Sequence, residues 1–581
     1  MSAVLEAREP GARYLDALQP QLVQHFELLA AAPGIVARLR ELILALAVQG
    51  KLVRQDVRDE PASALLQRIG MERTRLAAVG KLGRSRDLRL DDESEPPYSL
   101  PNGWCWSTLA SIGIINPRNE AGDDQVASFV QMSSIPVAFT DAHVTEPRPW
   151  RDIKSGFTQF AEGDVGVAKI TPCFENGKST VFQNLSNGIG AGTTELHIVR
   201  PLCGISPRYV LIFLKNPGFL RDGEAKMTGT AGQKRLPRTY FENSPFPLPP
   251  LAEQAHIVTR VDELMRLCDA LEAKGRLEAE QHARLLNTLL GTLTDSTAPE
   301  ELAANWQRVA AHFDLLLDRP EAVDALEQTV LQLAVRGLLV PQDPSGEPAT
   351  ALLARIRVEK DQLIASGKIR RDKPLLGVNA DSAPFALPYG WTWARFPELG
   401  EFGRGKSKHR PRNDPTLFSP PIYPLVQTGE VARAKGTILE YHSKYSELGL
   451  AQSRLWPAGT LCITIAANIA DAAILGFDAC FPDSVVGFVP ARCLGGTTYF
   501  HAFLETAKTD LIKFAPATAQ KNINLEVLES LLVPVPPKRE VERIVVRVTE
   551  LRRLCAELRQ RLIASQAAQA HLADTLVDEV A

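Results

Sequence analysis

Between Ala252 and Leu290, apolar or tolerant residues recur at four-three spacing at Ile257, Val261, Leu264, Cys268 and Leu271. The spacing returns at Ile544, Val548, Leu551, Cys555, Leu558 and Leu562, then at Leu572 and Leu576. A stripe of this period predicts a long helix in each place, with a coiled-coil seam along one side. Pro249-Pro250 and Pro536-Pro537 close the preceding extended segments and mark where each helix begins. From 257 to 289 such a helix runs about 50 Å at roughly 1.5 Å per residue, enough to hold two domains apart. Shorter helical patterns near Ala37–Val48 and Asp324–Val335 end at Gly50 and Gly337, suitable C-terminal caps, and a further helix follows from Ala62 and from Ala349. The pattern changes in 99–250 and 386–537. Runs such as Leu196–Val199, Thr460–Ile465 and Ser484–Val489 read as strands, with Pro, Gly and Asn frequent between them, so each segment is expected to be a mixed α/β (α+β) body.

The two halves of this pattern align with each other. Leu44-Ala-Leu-Ala-Val-Gln-Gly50 recurs as Leu331-Gln-Leu-Ala-Val-Arg-Gly337, and at the same offset of 287 Glu60-Pro-Ala-Ser-Ala-Leu-Leu66 becomes Glu347-Pro-Ala-Thr-Ala-Leu-Leu353. Across 41–66 and 328–353, 15 of 26 positions are identical, which chance does not produce. His25-Phe26 meets His312-Phe313, Leu100-Pro-Asn-Gly-Trp104 meets Leu387-Pro-Tyr-Gly-Trp391, and Gln233-Lys234 meets Gln520-Lys521. Between the Trp motif and Gln233 there is no comparable run of identity. One unit is therefore repeated in tandem, with a shared frame and divergent bodies. Shared segments serve a task done twice in the same way, and divergent segments suit two different jobs, such as reading unlike halves of one DNA site.

Length and composition fit this picture. The 581 residues exceed one ordinary core, and 45% hydrophobic with 23% charged residues is ordinary for a soluble globular chain. Nothing near Met1 resembles an export signal and no apolar run is long enough to cross a bilayer, so a cytoplasmic protein is expected. Eight scattered cysteines without a Cys-x-x-Cys pair point to a reducing compartment and no structural zinc. A net charge of −3 does not announce a nucleic-acid binder, but the deficit lies outside the bodies. Residues 99–250 and 386–537 each carry 14 Lys+Arg against 13 Asp+Glu, leaving 37 against 42 elsewhere.

Three clusters carry candidate chemistry. Gly400-Glu-Phe-Gly-Arg-Gly-Lys-Ser407 fits the phosphate-loop pattern in letters, but a phosphate loop needs a strand before it and a helix after it, and the flanks Ala394–Leu399 and Lys408–Arg412 lack that context. The same stretch reads better as a basic loop, in which Arg404, Lys406, Lys408, Arg410 and Arg412 can neutralise phosphates or pair with guanine. In the first body, Lys169-Ile-Thr-Pro-Cys-Phe-Glu-Asn-Gly-Lys178 sets Lys169, Thr171, Glu175, Asn176 and Lys178 on one turn. There Asn and Glu can read adenine and cytosine edges, and the lysines suit phosphates. Gln233, Lys234 and Arg235 follow Thr228-Gly-Thr-Ala-Gly232, and Gln520 and Lys521 follow Pro516-Ala-Thr-Ala519; a pair kept in both halves suits a phosphate contact or loop anchoring. No hydrolase, metalloprotease, dinucleotide-binding or amino-methyltransferase motif is present, and the chain is expected to catalyse nothing itself.

With its Leu-Ala-Val-x-Gly helices, Leu-Pro-x-Gly-Trp openings, the turn 169–178, Gly459–Asn468 and Pro-Leu-Pro-Pro-Leu-Ala-Glu-Gln254, the chain resembles the specificity subunits of type I restriction-modification systems. The resemblance implies two mixed α/β target recognition domains, each reading half of a split, asymmetric site in double-stranded DNA. Long antiparallel coiled-coil helices would separate them in a tandem duplication of pseudo-two-fold symmetry. It implies helical N-terminal residues 1–98, recognition domains 99–250 and 386–537, a central region 251–385 and a C-terminal helix 538–581. The shared helices would dock two methyltransferase subunits, and the assembly would recruit restriction subunits. S-adenosylmethionine, ATP and magnesium are then expected on those partners and no cofactor on this chain. A stand-alone DNA-binding regulator and a nucleotide hydrolase built on 400–407 are the alternatives.

Overall fold

The computed structural model describes residues 32–79, 97–230, 232–367, 369, 383–409, 411–434, 436–466, 468–513 and 523–578. The chain divides into two compact units, Met1–Glu278 with Gln566–Ala581, and Ala279–Ser565. His25 and Phe26 lie outside the described residues.

In the first unit, helix Ile35–Val48 stops at a glycine for a physical reason. Gly50 adopts φ +70°, and the Lys51 N–H bonds to the Leu46 carbonyl at 2.9 Å, closing the last turn in a Schellman arrangement. A Cβ at Gly50 would also overlap Pro101, so the helix end and the opening of the body touch at a residue without a side chain. Helix Ala62–Ala78 follows. The body opens with strand Cys105–Thr108, paired antiparallel with Pro245–Leu248 from the body's far end. Between them lie two four-stranded sheets. One, fully antiparallel, runs Gly113–Ile115, Leu196–Pro201, Val165–Ala168, Ser179–Val181. The other runs Glu146–Pro149, Val126–Val130, Ile189–Gly192, Thr158–Ala161 and contains one parallel pairing, Val126–Val130 with Ile189–Gly192. Asp164 is buried at the edge of a strand and receives two hydrogen bonds from Arg200, at 2.7 and 2.8 Å.

The second unit uses the same devices 287 positions later. Helix Pro320–Val335 ends at Gly337 with φ +73°, and the Leu338 N–H bonds to the Leu333 carbonyl at 2.9 Å. Strand Thr392–Arg395 pairs with Leu532–Val535 in the register of the first unit, Thr392 opposite Val535 as Cys105 is opposite Leu248. Helices Ala62–Ala78 and Ala349–Ala365 begin with the same bond, Ala62 N–H to the Gly103 carbonyl and Ala349 N–H to the Gly390 carbonyl, both 2.8 Å. The inner sheets differ: here one has five strands, Gly400–Arg404, Val485–Pro490, Leu461–Thr464, Ala472–Leu475, Thr437–Ile438, and the other is Ser443–Tyr445, Tyr423–Leu425, Ala479–Cys480, Leu455–Trp456.

The expected long helices are present as Leu251–Thr294 and Lys538–Asp578, about 66 and 62 Å at 1.5 Å per residue. The first turns of the stripe do not face another long helix. Ile257, Val261 and Cys268 are buried in a core with Leu44, Ala47 and Trp104, and Ile544 and Val548 are buried with Leu331, Ala334 and Trp391. Further along the second helix, Cys555 and its neighbours Leu558 and Leu562 join a core with Leu286, Leu290 and Leu326. A four-three stripe buries itself against whatever apolar surface is nearest, and for the first turns that is the body and short helix of the same unit.

One polar cluster fastens these parts. In the first turn of Leu251–Thr294, the buried Glu253 carboxylate accepts the Trp104 indole N–H at 2.8 Å and the Gln55 amide at 3.1 Å, while Gln55 also donates to the Gly50 carbonyl at 2.7 Å. Burial pushes the Glu253 carboxyl upward, and these donors pull it back. Gln342, Trp391 and Glu540 stand at the corresponding places, and Gln342 donates to the Gly337 carbonyl at 2.7 Å. There the Trp391 indole N–H and one Glu540 oxygen are buried without a hydrogen bond of good geometry. Trp104→Phe removes a donor from a buried acid and should destabilise the chain by about 1–3 kcal/mol. Trp391→Phe should cost clearly less. Urea unfolding of the two full-length variants measures the difference, and equal losses would contradict this reading.

Candidate nucleic-acid interface

In the first body, the candidate residues converge where strand Val165–Ala168 leaves its sheet. The Lys169 N–H bonds to the Glu195 carbonyl at 2.9 Å, and the Lys169 carbonyl accepts the Leu236 N–H at 2.7 Å. Thr171 ties the turn to the neighbouring hairpin: its N–H donates to the Lys234 carbonyl at 3.1 Å, and its hydroxyl accepts the Lys234 N–H at 3.1 Å. Thr228 and Arg235 exchange backbone hydrogen bonds at 3.0 and 2.8 Å, so 228–235 is a hairpin whose described tip residues are exposed. The turn 169–178 is anchored by Phe174, fully buried against Gly223, where a Cβ would overlap the ring. With Phe174 inside, Glu175 and Asn176 face solvent. Lys169, Glu175 and Asn176 thus lie on a turn bonded to the hairpin that carries Gln233 and Lys234.

Two predicted cations in this body are committed elsewhere. Lys178 Nζ donates to the Met132 carbonyl at 2.9 Å, and Arg235 is clamped by Glu195 through bonds of 2.9 to 3.2 Å, which hold the Glu195 carboxyl below its usual range. Lys178 therefore braces the turn, and Arg235 reaches solvent only from a paired position. Sequence reading missed Lys215, a buried lysine whose Nζ donates to the Gly177 carbonyl at 2.9 Å and the Val137 carbonyl at 2.8 Å, holding the turn from beneath. Burial drives its pKa down to about 7. It missed His197 as well, buried beside Phe241 with Nε2 3.1 Å from the Leu236 carbonyl and its pKa lowered by burial. The only signal in sequence for either is a polar residue inside an apolar run.

The second body places its cations differently. Gly400–Arg404 is a strand, and the described residues after it form no helix until a 3-10 turn at Pro415–Leu417, so the phosphate-loop letters do not build a phosphate cradle. Arg404, Lys406 and Lys408 are exposed on alternate residues, whereas Gly405 between them is buried with no room for a side chain beside the Phe481 and Pro482 carbonyls. The backbone is pinned by the Lys406 N–H to the Phe481 carbonyl at 3.2 Å and by the Gln452 side chain, which accepts the Lys408 N–H at 2.6 Å. Arg412 does not join that row, because both Asp483 oxygens hold its guanidinium at 3.0 Å. Arg410, Gln520 and Lys521 lie outside the described residues. The next described residue, Ile523, donates its N–H to the Ile465 carbonyl at 3.0 Å, as Leu236 does to Lys169.

Among the described residues there is no group of three or more His, Cys, Asp or Glu side chains able to hold a metal ion, and no helix long and apolar enough to cross a membrane. Residues 390–565 match the family model of the type I restriction modification DNA specificity domain. The chain is 40% identical over 562 residues to the EcoAI specificity subunit of Escherichia coli, covering 94% of this chain and 93% of that one. It belongs to the type I restriction enzyme specificity subunits. The EcoEI specificity subunit of Escherichia coli is likewise 40% identical over 561 residues, covering 94% of this chain and 93% of its own. A solved chain from work on complex assembly and conformational transition of the type I R-M system shares the fold, with a TM-score of 0.52 at 17% identity over 83% of this chain and 99% of that one. As a specificity subunit the chain supplies DNA sequence specificity, and catalysis lies in other subunits.

Lys215 makes a pH prediction for this subunit. A lysine whose folded-state pKa lies near 7 and whose unfolded value is 10.5 binds its proton more tightly when unfolded, so wild-type stability gains a contribution as pH rises between those values. Lys215→Met should remove that gain, seen as a flatter stability curve from about pH 7 to about pH 9.5 in urea unfolding. An unchanged curve would show that the lysine is not desolvated.

Proposed function

We propose that the chain is an internal duplication in which each body reads one half of a bipartite, asymmetric site in double-stranded DNA. The carrying observation is the contrast between an equivalent frame and unlike rims. The strand pair 105–108 with 245–248 returns 287 positions later in register, while the exposed rim is a turn and hairpin in one body and a row of cations in the other. On this reading the domains are 1–98, 99–250, 251–385, 386–537 and 538–581. Lys169, Gln233 and Lys234 meet the backbone, and Glu175 and Asn176 meet base edges, with Thr171 and Lys178 bracing them and Arg235 contributing from its pair with Glu195. In the second body Arg404, Lys406, Lys408 and Arg410, with Gln520 and Lys521, provide the contacts, and Arg412 contributes from its pair with Asp483. The long helices pack as an antiparallel coiled coil and set the gap between half-sites. The helices common to both halves dock two methyltransferase subunits, and restriction subunits join that complex.

Exchanging residues 99–250 for those of a related specificity subunit should change one half of the recognised motif and leave the other intact. A change in both halves would refute the assignment. Replacing Arg404, Lys406 and Lys408 together by Ala should weaken DNA binding by the assembled methyltransferase. It should also lower the slope of log affinity against log salt by about 0.9 for each phosphate that is no longer neutralised. Weaker binding with no change in slope would instead mark these residues as base readers.

A further inference from the structure

We propose that two ion-pair clusters of opposite polarity direct each short helix to the first half of the long helix that belongs to its own half of the chain. In the first unit the cation is on the short helix: Arg40 bonds to Asp269 and to Glu272 of the long helix, both at 2.7 Å. In the second unit the polarity is reversed. Arg559 on the long helix bonds to Asp324 at 2.6 Å and to Glu327 at 2.8 Å on the short helix, and Arg552 adds an ion pair to Glu327 at 3.1 Å. The reversal is position for position: 287 residues separate Arg40 from Glu327, and Glu272 from Arg559.

The apolar contacts around these pairs cannot tell the two halves apart. Leu44, Ala47 and Val48 on one short helix correspond to Leu331, Ala334 and Val335 on the other, and Ile257, Val261 and Cys268 on one long helix correspond to Ile544, Val548 and Cys555. Each short helix already meets the far end of the other half's long helix, Leu42 and Leu46 with Ala573 and Val577, and Val323 and Leu326 with Leu286 and Leu290. A short helix packed on the first half of the wrong long helix, however, would bury nearly the same surface as on the right one. It would also set Arg40 against Arg559 and Arg552 in one place, and Asp324 and Glu327 against Asp269 and Glu272 in the other. Every attractive pair would become repulsive. Charges at the edge of an otherwise shared apolar interface choose among partners in this way, the same device that sets pairing in coiled coils. A chain carrying two nearly equal copies of one interface has a particular need for it, since half-formed intermediates expose both copies together.

The test uses the full-length chain refolded from urea, with recovery of monomer read by size-exclusion chromatography and light scattering. R40E/E272R gives the first unit the polarity of the second while keeping the 40–272 ion pair. The carboxylate introduced at position 40 then also meets Asp269, so the folded monomer should melt slightly below the wild type. Its recovery should be roughly two- to five-fold lower, as expected when surface ion pairs of ordinary strength stop discriminating. R40A/E272A removes the pair without creating the wrong polarity and should recover better than R40E/E272R. Inverting the second unit too, in R40E/E272R/E327R/R559E, makes the 40–272 and 327–559 polarities distinct again. Recovery should rise above the double variant, even though the cation introduced at position 327 then meets Arg552 and the carboxylate introduced at position 559 meets Asp324. Wild-type recovery of R40E/E272R would overturn the proposal, as would a quadruple variant that recovers no better than the double.

Discussion

The buried carboxylate of Glu253 is the constraint on which the first half of the molecule depends. An acid taken out of water costs free energy unless donors surround it, and its two donors come from separate parts of the chain: the indole of Trp104 at the opening of the body, and Gln55 just after the short helix. Satisfying one group therefore fixes the start of the long helix, the exit of the short helix and the first strand of the body together. Gln55 extends the same network to the Gly50 carbonyl at the helix end. In the other half, Glu540, Trp391 and Gln342 occupy the corresponding places with looser geometry, and Gln342 and Trp391 still offset the upward push of burial on the acid.

On that frame each body carries its exposed groups at loops that the frame holds from several sides. The turn 169–178 is braced by Phe174 inside, Lys215 beneath, Lys178 at its end and Thr171 at its start. The row Arg404, Lys406 and Lys408 is held by backbone bonds to Phe481 and Gln452. Rigid support beneath exposed polar tips is what sequence reading by a protein requires, because a hydrogen bond to a base edge discriminates only when its donor is already in place. The loops can then differ between the two bodies without disturbing the strand pair that closes each of them.

The helices were legible because their period is carried by many residues at once. Leu251–Thr294, Lys538–Asp578 and the pair Ala62–Ala78 and Ala349–Ala365 all follow from apolar spacing and the offset of 287. The order of strands was not legible. Strands such as Gly113–Ile115 and Ser179–Val181 have three residues, and the parallel pairing of Val126–Val130 with Ile189–Gly192 joins segments some sixty positions apart. The stripe of Ile257 and Val261 reads as a coiled-coil seam, but at these first turns it is buried against the body and short helix of the same unit, because spacing shows a buried face and not what covers it. For the candidate site, sequence found the exposed tips and could not tell which cations were already engaged. The tethers of Lys178 to Met132, Arg235 to Glu195 and Arg412 to Asp483 span 40 to 71 positions. The phosphate-loop letters at 400–407 mislead for the same reason, because only pairing with Val486–Pro490 makes Gly400–Arg404 a strand.

The most direct test of the central claim is a map of methylated adenine across the genome of cells that carry the methyltransferase partners, with and without this chain. The predicted result is one split motif, two unlike short halves at a fixed gap, present with the chain and absent without it. A methylation pattern that does not depend on the chain, or a continuous motif with no gap, would contradict the claim.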